Sequence, residues 1–168
     1  MSKIIVLLIG LIYCFTTYGQ TAELPCHGPE FTNTKTHFHA AGEGSGTDMN
    51  IARKKALADV QANLTANILA MGDRVNLAYA GSNAGMKHRL NQIWERAIAW
   101  DVKYAYNECN KVAVDPDGLT MHSYQSLQVT REKIVEAVIE EIKSNKDLGP
   151  NFDQEKFKNL FDQEMDKF

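Results

Sequence analysis

The residues of this chain that could do chemistry are three alternate glycines and two alternate histidines just before them. Gly42, Gly44 and Gly46 precede a long helical pattern, and glycine loops at strand-to-helix junctions often hold phosphate. Dinucleotide-binding loops need the spacing G-x-G-x-x-G, whereas the sixth position here is Thr47, and the run lacks the Gly-Lys-Ser/Thr ending of a P-loop. We therefore interpret the run as a tight strand-to-helix hinge.

The two histidines, His37 and His39, fall on one face of a predicted strand, a spacing that can hold zinc if a third ligand converges. Candidates for that third ligand are His27, His122 and Glu43. Exposed strand histidines are commoner, and the chain has no H-E-x-x-H or paired C-x-x-C motif, so we expect no metal and no other cofactor. No G-x-S-x-G turn is present either, and no catalytic residue is predicted.

The N-terminus resembles an export signal. Lys3 is followed by an apolar run of about a dozen residues, the length of a signal-peptide centre and too short for a membrane span. Small residues at Thr17 and Gly19 predict cleavage before Gln20. Residues 1–19 are therefore expected to be removed from a secreted or periplasmic protein.

The cysteines support that location. Cys14 leaves with the signal, so the mature chain keeps Cys26 and Cys109, and an even count in an oxidising compartment favours a disulfide between them. A lipid-anchored protein needs a small residue before the modified cysteine, whereas Cys14 follows Tyr13 and Cys26 follows Pro25. We expect no membrane anchor.

Composition limits the remaining choices. The 168 residues suffice for one domain of ordinary size, and 44% apolar with 23% charged residues is typical of a soluble globular protein. The formal charge of −3 provides no basic surface, so nucleic acid is not an expected partner.

Periodicity predicts the elements that position these residues. A strand is expected from 34 to 42, a long amphipathic helix over 48–71, a loop or short strand over 72–85, and a short helix over 86–100. Alternating residues from Trp100 to Val114 predict a long half-buried strand, and "DPDG" at 115–118 turns it into a hairpin with a second strand. A further helix begins after Thr130 and ends before Gly149-Pro150.

The last segment predicts a short helix with an apolar stripe. The stripe consists of Phe157, Leu160, Phe161 and Phe168. It packs either on its own domain or on a protein partner, and the sequence leaves both open.

These elements predict an α+β domain, an antiparallel sheet packed on one face by a long N-terminal helix and a C-terminal helix. The organisation is a signal peptide at 1–19, an extension tied by the disulfide at 20–33, the α+β domain at 34–148, and the amphipathic helix at 149–168.

A family resemblance lies in the stretch that joins the first strand to the long helix. Gly42 and Gly44 lead into "ARKKAL", with Ala52 and Arg53 at the start of the helix, and "SYQSLQVTREKI" follows downstream. This resembles the Lpp-twenty-like family of small bacterial envelope lipoproteins, which is related to domains of flagellar assembly proteins. The resemblance implies an α+β fold, an envelope location and no catalytic residues.

The function predicted from the sequence is that of a non-enzymatic, envelope-associated domain, a structural or assembly accessory that acts by binding a protein. The alternative is a secreted metal- or small-ligand-binding protein, or a hydrolase, that uses the face of His37 and His39.

Overall fold

The computed structural model of the protein describes residues 24–168, so the predicted signal peptide and its cleavage site lie outside the described residues. Within 24–168, no helix has the length and apolar character needed to cross a membrane. The elements in chain order are β1 (His37–Gly46), α1 (Met49–Ala80), α2 (Ala84–Lys103), β2 (Tyr106–Val114), β3 (Met121–Thr130), α3 (Arg131–Ser144) and α4 (Gln154–Met165).

The three strands form one antiparallel sheet in the order β1-β3-β2. Strands β2 and β3 are the predicted hairpin, closed by a turn in which the Gly118 amide donates to Asp115 O at 2.8 Å. Gly118 has φ of 72°, a conformation that glycine adopts without strain. The predicted α+β fold with an antiparallel sheet is confirmed.

Helix α1 covers one face of the sheet, and the alternate glycines bring it close. Gly42 and Gly44 belong to strand β1 and face α1, and a Cβ on either would overlap the helix backbone at Val60 or Ala56. The predicted hinge at these glycines is therefore wrong. The chain turns at Thr47 and Asp48 instead, and the glycines act through close packing between strand and helix.

Helix α1 continues to Ala80, so the predicted loop at 72–85 is wrong for most of its length. Gly72 lies inside the helix against the Trp94 ring of α2, where a Cβ would come within 2.7 Å of Cδ2. Asn76, also buried, accepts a hydrogen bond from Trp94 Nε1 at 3.0 Å. The glycine and asparagine that indicated a loop are the residues that allow α1 and α2 to pack.

The predicted strand from Trp100 to Val114 is also wrong in its first part. Helix α2 runs to Lys103, and only Tyr106–Val114 forms strand β2. The alternating residues that this strand prediction would bury are mostly exposed, and Trp100 and Tyr106 are each 67% exposed. Of the alternating residues, Val102 is the buried one, since it faces inward from the helix.

Helix α4 packs on its own domain. Phe157, Phe161 and Met165 are fully buried, and Phe161 stacks on Trp94 with ring centroids 6.2 Å apart. A partner surface at Phe157 and Phe161 is therefore excluded, because no partner can reach these rings while the domain is folded. Leu160 is partly buried against the core, and Phe168 is exposed.

The free edge of β1 is closed by polar side chains. Three of them project from successive turns of α1: Asp59 accepts from the Glu43 amide at 3.0 Å, Asn63 donates to Ala41 O at 2.9 Å, and Asn67 donates to His39 O at 2.9 Å. Their spacing of four residues places them on one side of the helix. A fourth, Asn33, accepts from the His39 amide at 2.8 Å.

The disulfide between Cys26 and Cys109 is confirmed. It joins the N-terminal segment to β2, and the same segment contacts the sheet where the His27 and Tyr124 rings meet edge to face at 6.4 Å. Tyr124 lies on the sheet face opposite α1, here called the outer face, because its neighbour Gln125 points the other way and donates to Arg53 O. The bridge therefore holds the N-terminal segment to the outer face.

Candidate functional site

The two histidines whose spacing could hold zinc, His37 and His39, both lie on the outer face. The Nδ1 atom of each ring lies within hydrogen-bonding distance of a neighbouring side chain. Their ring centroids are 5.8 Å apart. His39 is buried, and its Nδ1 lies 3.0 Å from Glu108 Oε2 on β2. His37 is half-buried, and its Nδ1 lies 2.9 Å from Thr36 Oγ1. The burial of His39 corrects the expectation of an exposed strand histidine.

The candidate third ligands are not brought to these histidines. His27 Nδ1 lies 2.9 Å from Pro25 O, and His122 Nε2 lies 3.1 Å from Asp115 Oδ1. Among residues 24–168, no three His, Cys, Asp or Glu side chains are grouped so that they could hold a metal ion. The structure thus gives no geometric basis for the metal alternative in the part that it describes.

The start of α1 is occupied by the protein itself. The Asp48 carboxylate accepts from the backbone amides of Asn50 and Ile51 at 2.8 and 3.0 Å. A phosphate there would compete with this carboxylate for the same donors. Ala52 is fully buried and Arg53 provides a backbone acceptor to the sheet, so both residues of the predicted junction serve packing.

A different site lies where the end of α2 meets the sheet. A cavity of about 400 Å³ opens there between the outer face and the start of α3. We call it the aromatic groove; its lining includes Trp100, Tyr104, Tyr106, His37, Asp101, Gln128 and Lys133. A concave site with rings and a few polar groups is typical of a binding pocket.

The rings of the aromatic groove are unusually exposed for their size. Trp100 lies in the last turn of α2 and Tyr104 directly follows its end, with ring centroids 4.3 Å from each other. Trp100 and Tyr106 are 67% exposed, and Tyr104 is 58% exposed. Exposed aromatic side chains around one cavity are a common feature of surfaces that bind other molecules.

The polar side chains of the groove are free to bond a ligand. Among the described residues, the Asp101 carboxylate, the Gln128 amide and the Trp100 indole N–H have no hydrogen-bond partner. Burial raises the pKa of Asp101 above its ordinary value, and the charge of Lys133 partly opposes that shift. The register places Gln128 beside Tyr106 and His39, in one row across the sheet.

Sequence reasoning missed this site because it placed Trp100, Tyr104 and Tyr106 on the buried face of a strand. Alternation at every second residue fits a strand, but Trp100 and Tyr104 also have the i, i+4 spacing of neighbours on a helix. That spacing, next to the helical pattern of α2, is the signal that could have indicated a helix end with two adjacent rings.

Strand β2 forms an open edge beside the groove. Its pairs with β3 place the backbone groups of Asn110, Val112 and Val114 outward, because opposed residues of an antiparallel ladder bond in alternation. Val112 and Val114 are about half exposed, at 49% and 52%. A bulge between Asn107 and Cys109 interrupts the register near the groove.

Comparison with known proteins adds no assignment. No protein-family model, curated protein or solved structure matches this chain. The resemblance to small envelope lipoproteins therefore stays a prediction from the sequence.

Proposed function

We propose that the protein is an exported, non-enzymatic accessory of the cell envelope that acts by binding another envelope component in the aromatic groove. The disulfide supports export, because such bonds persist in oxidising compartments. Phe157 and Phe161 of the C-terminal helix are buried in the domain's own core, so we place the contact surface elsewhere; the sequence leaves core packing and a partner surface both open for this helix.

The observation that carries the proposal is the exposure of Trp100, Tyr104 and Tyr106 around one cavity. Tryptophan and tyrosine are enriched at recognition surfaces, where they bury large areas with few rotatable bonds. The groove also contains His37, so it keeps the ligand-binding half of the alternative that the sequence suggested.

The proposal is tested by sedimentation of the purified protein with envelopes isolated from the cells that produce it. Wild type is compared with a double variant, Trp100→Ala and Tyr106→Ala, over a range of concentrations. We expect saturable binding for wild type and a loss of at least about tenfold in the double variant, as for two central aromatic contacts.

The matched control is Leu119→Ala, which removes a side chain that is 72% exposed in the hairpin turn. This variant should bind like wild type. Thermal unfolding of all three proteins shows whether the groove variant is folded. If the double variant is folded and still sediments with envelopes like wild type, the proposed function is refuted.

A further inference from the structure

The groove presents two kinds of chemical group side by side. Flat rings at Trp100 and Tyr106 offer apolar faces, while Asp101 and Gln128 offer unpartnered hydrogen-bonding groups beside them. A ligand that satisfies both must itself present an apolar face and many hydrogen-bonding groups.

A cationic ligand fits this arrangement poorly. Aromatic rings beside a carboxylate can enclose a quaternary ammonium group, but the protein's own cations already act on the Tyr104 ring and on the Asp101 carboxyl. Lys103 Nζ lies over the Tyr104 ring, 5.3 Å from its centroid. Lys133 acts on the Asp101 carboxyl by its charge. A second cation would be repelled at both places.

An anionic ligand fits poorly as well. Lys133 is the basic side chain lining the groove, and Asp101 stands beside it with its carboxyl. An anion such as phosphate would meet Asp101 at close range, without the arginine fork that favours such ligands. The positive charge of Lys133 and the negative charge of Asp101 nearly cancel in the groove, so a neutral ligand is the best match.

An extended peptide that adds to the sheet is disfavoured by the backbone. In the ladder between β2 and β3, Tyr106 opposes Gln128, and their backbone groups are directed at each other. The outward backbone groups of β2 are those of Asn107 and, beyond the bulge, of Asn110, Val112 and Val114, so the bulge interrupts the row with which an added strand would pair. The groove therefore recognises its ligand through side chains.

From these contacts we infer that the aromatic groove binds a neutral oligosaccharide, an inference that rests on the proposed function. The C–H faces of sugar rings stack on Trp100 and Tyr106. Sugar hydroxyls donate to the Asp101 carboxylate and exchange hydrogen bonds with the Gln128 amide, since a hydroxyl is both donor and acceptor. A cavity of about 400 Å³ is within the usual range for such a ligand.

The test treats the isolated envelopes before sedimentation. One portion is oxidised with periodate, which cleaves the vicinal diols of sugars, and another is digested with protease. We expect groove-dependent binding to fall at least tenfold after periodate and to survive the protease. Asp101→Asn should weaken binding to untreated envelopes about tenfold, as for the loss of a charged hydrogen-bond acceptor, while Leu119→Ala leaves it unchanged.

Each contrary result has a distinct meaning. Binding that survives periodate but is lost after protease overturns the oligosaccharide in favour of a protein partner, while the proposed function stands. Displacement by tetramethylammonium chloride, but not by the same concentration of sodium chloride, overturns it in favour of a cationic ligand. If the double variant Trp100→Ala and Tyr106→Ala binds untreated envelopes like wild type, the proposed function itself is refuted.

Discussion

The two edges of the sheet are treated in opposite ways. At β1, polar side chains of α1 and the side chain of Asn33 form hydrogen bonds with the outward backbone groups of the strand. The glycines of β1 allow α1 to pack closely against the strand. At β2, the outward groups of Asn110, Val112 and Val114 have no such partners among the described residues, and no helix covers the strand.

Under the proposed function, this difference separates the part of the molecule that maintains the fold from the part that binds a ligand. Exposed strand edges invite unspecific pairing, and proteins limit it with bulges and charged side chains. β2 has both, a bulge next to Cys109 and the charge of Lys111. An edge protected in this way, with exposed rings at its start, fits a surface kept open for a specific ligand. The closed β1 side holds the fold together.

Loss of the disulfide should have the largest effect on stability. Cys109→Ser removes a bridge with a sequence separation of 83 residues. In the chain-entropy model we expect a loss of about 4 kcal/mol in the free energy of unfolding, measured by urea denaturation. Cys26→Ser should cost the same, because either change breaks one bridge. A clearly smaller loss in both would mean that the bridge contributes little to holding the N-terminal segment.

Gly44→Ala tests the closed side directly. Its Cβ would overlap the backbone of α1 at Ala56, so the helix must move away, at a cost of about 3 kcal/mol. Gly85→Ala is the matched control, since a Cβ there has its nearest neighbour at 3.6 Å. Denaturation should show no loss for the control. Equal stability of both variants would contradict close packing as the role of the glycine run.

Glu164→Gln tests how α4 is held on α1, because Glu164 pairs with Arg74 of that helix. Ion pairs with Lys167 and Arg74 lower the pKa of Glu164 below its ordinary value of 4.5. The carboxylate therefore stabilises the folded protein above pH 4.5, and this contribution is lost as the pH falls through the lowered pKa. The variant should lose about 0.5 kcal/mol at pH 7 and less at pH 2. An equal loss at both pH values, measured by thermal unfolding, would exclude the ion pairs.

Amide hydrogen exchange compares the protection of backbone amides at the two sheet edges in the wild-type protein. The Glu43 amide, bonded to Asp59, should exchange more slowly than the outward amide of Val112. Asp59→Ala should accelerate exchange at Glu43 and leave Val112 unchanged. Equal exchange at both positions in wild type would show that the edges do not differ.

Local signals predicted much of this fold. Helix α3 begins after Thr130, whose hydroxyl accepts from the Lys133 amide, and the turn residues around Gly118 produce the hairpin. The disulfide followed from the cysteine count and the expected compartment. The residues that determine the helix start and the hairpin turn are close together in the sequence. For the disulfide, the two remaining cysteines allow a single pairing.

The wrong predictions share a physical cause. Gly72 and Asn76 indicated a loop because their partner, Trp94, lies on another helix. The exposure of Trp100 and Tyr106 depends on which other elements pack against them. The periodicity of apolar residues along the sequence does not indicate which elements those are. The aromatic groove therefore became visible only when α2, α3 and the sheet were placed together.

The central claim is that stability belongs to the β1 side and recognition to the aromatic groove. The most direct measurement pairs thermal unfolding with envelope sedimentation for Gly44→Ala and Trp100→Ala. The account predicts that Gly44→Ala lowers the melting temperature and keeps envelope binding below it. Trp100→Ala should keep the melting temperature, since its side chain is 67% exposed, and lose binding. A Trp100→Ala protein that binds envelopes like wild type, or that unfolds as early as Gly44→Ala, would contradict the account.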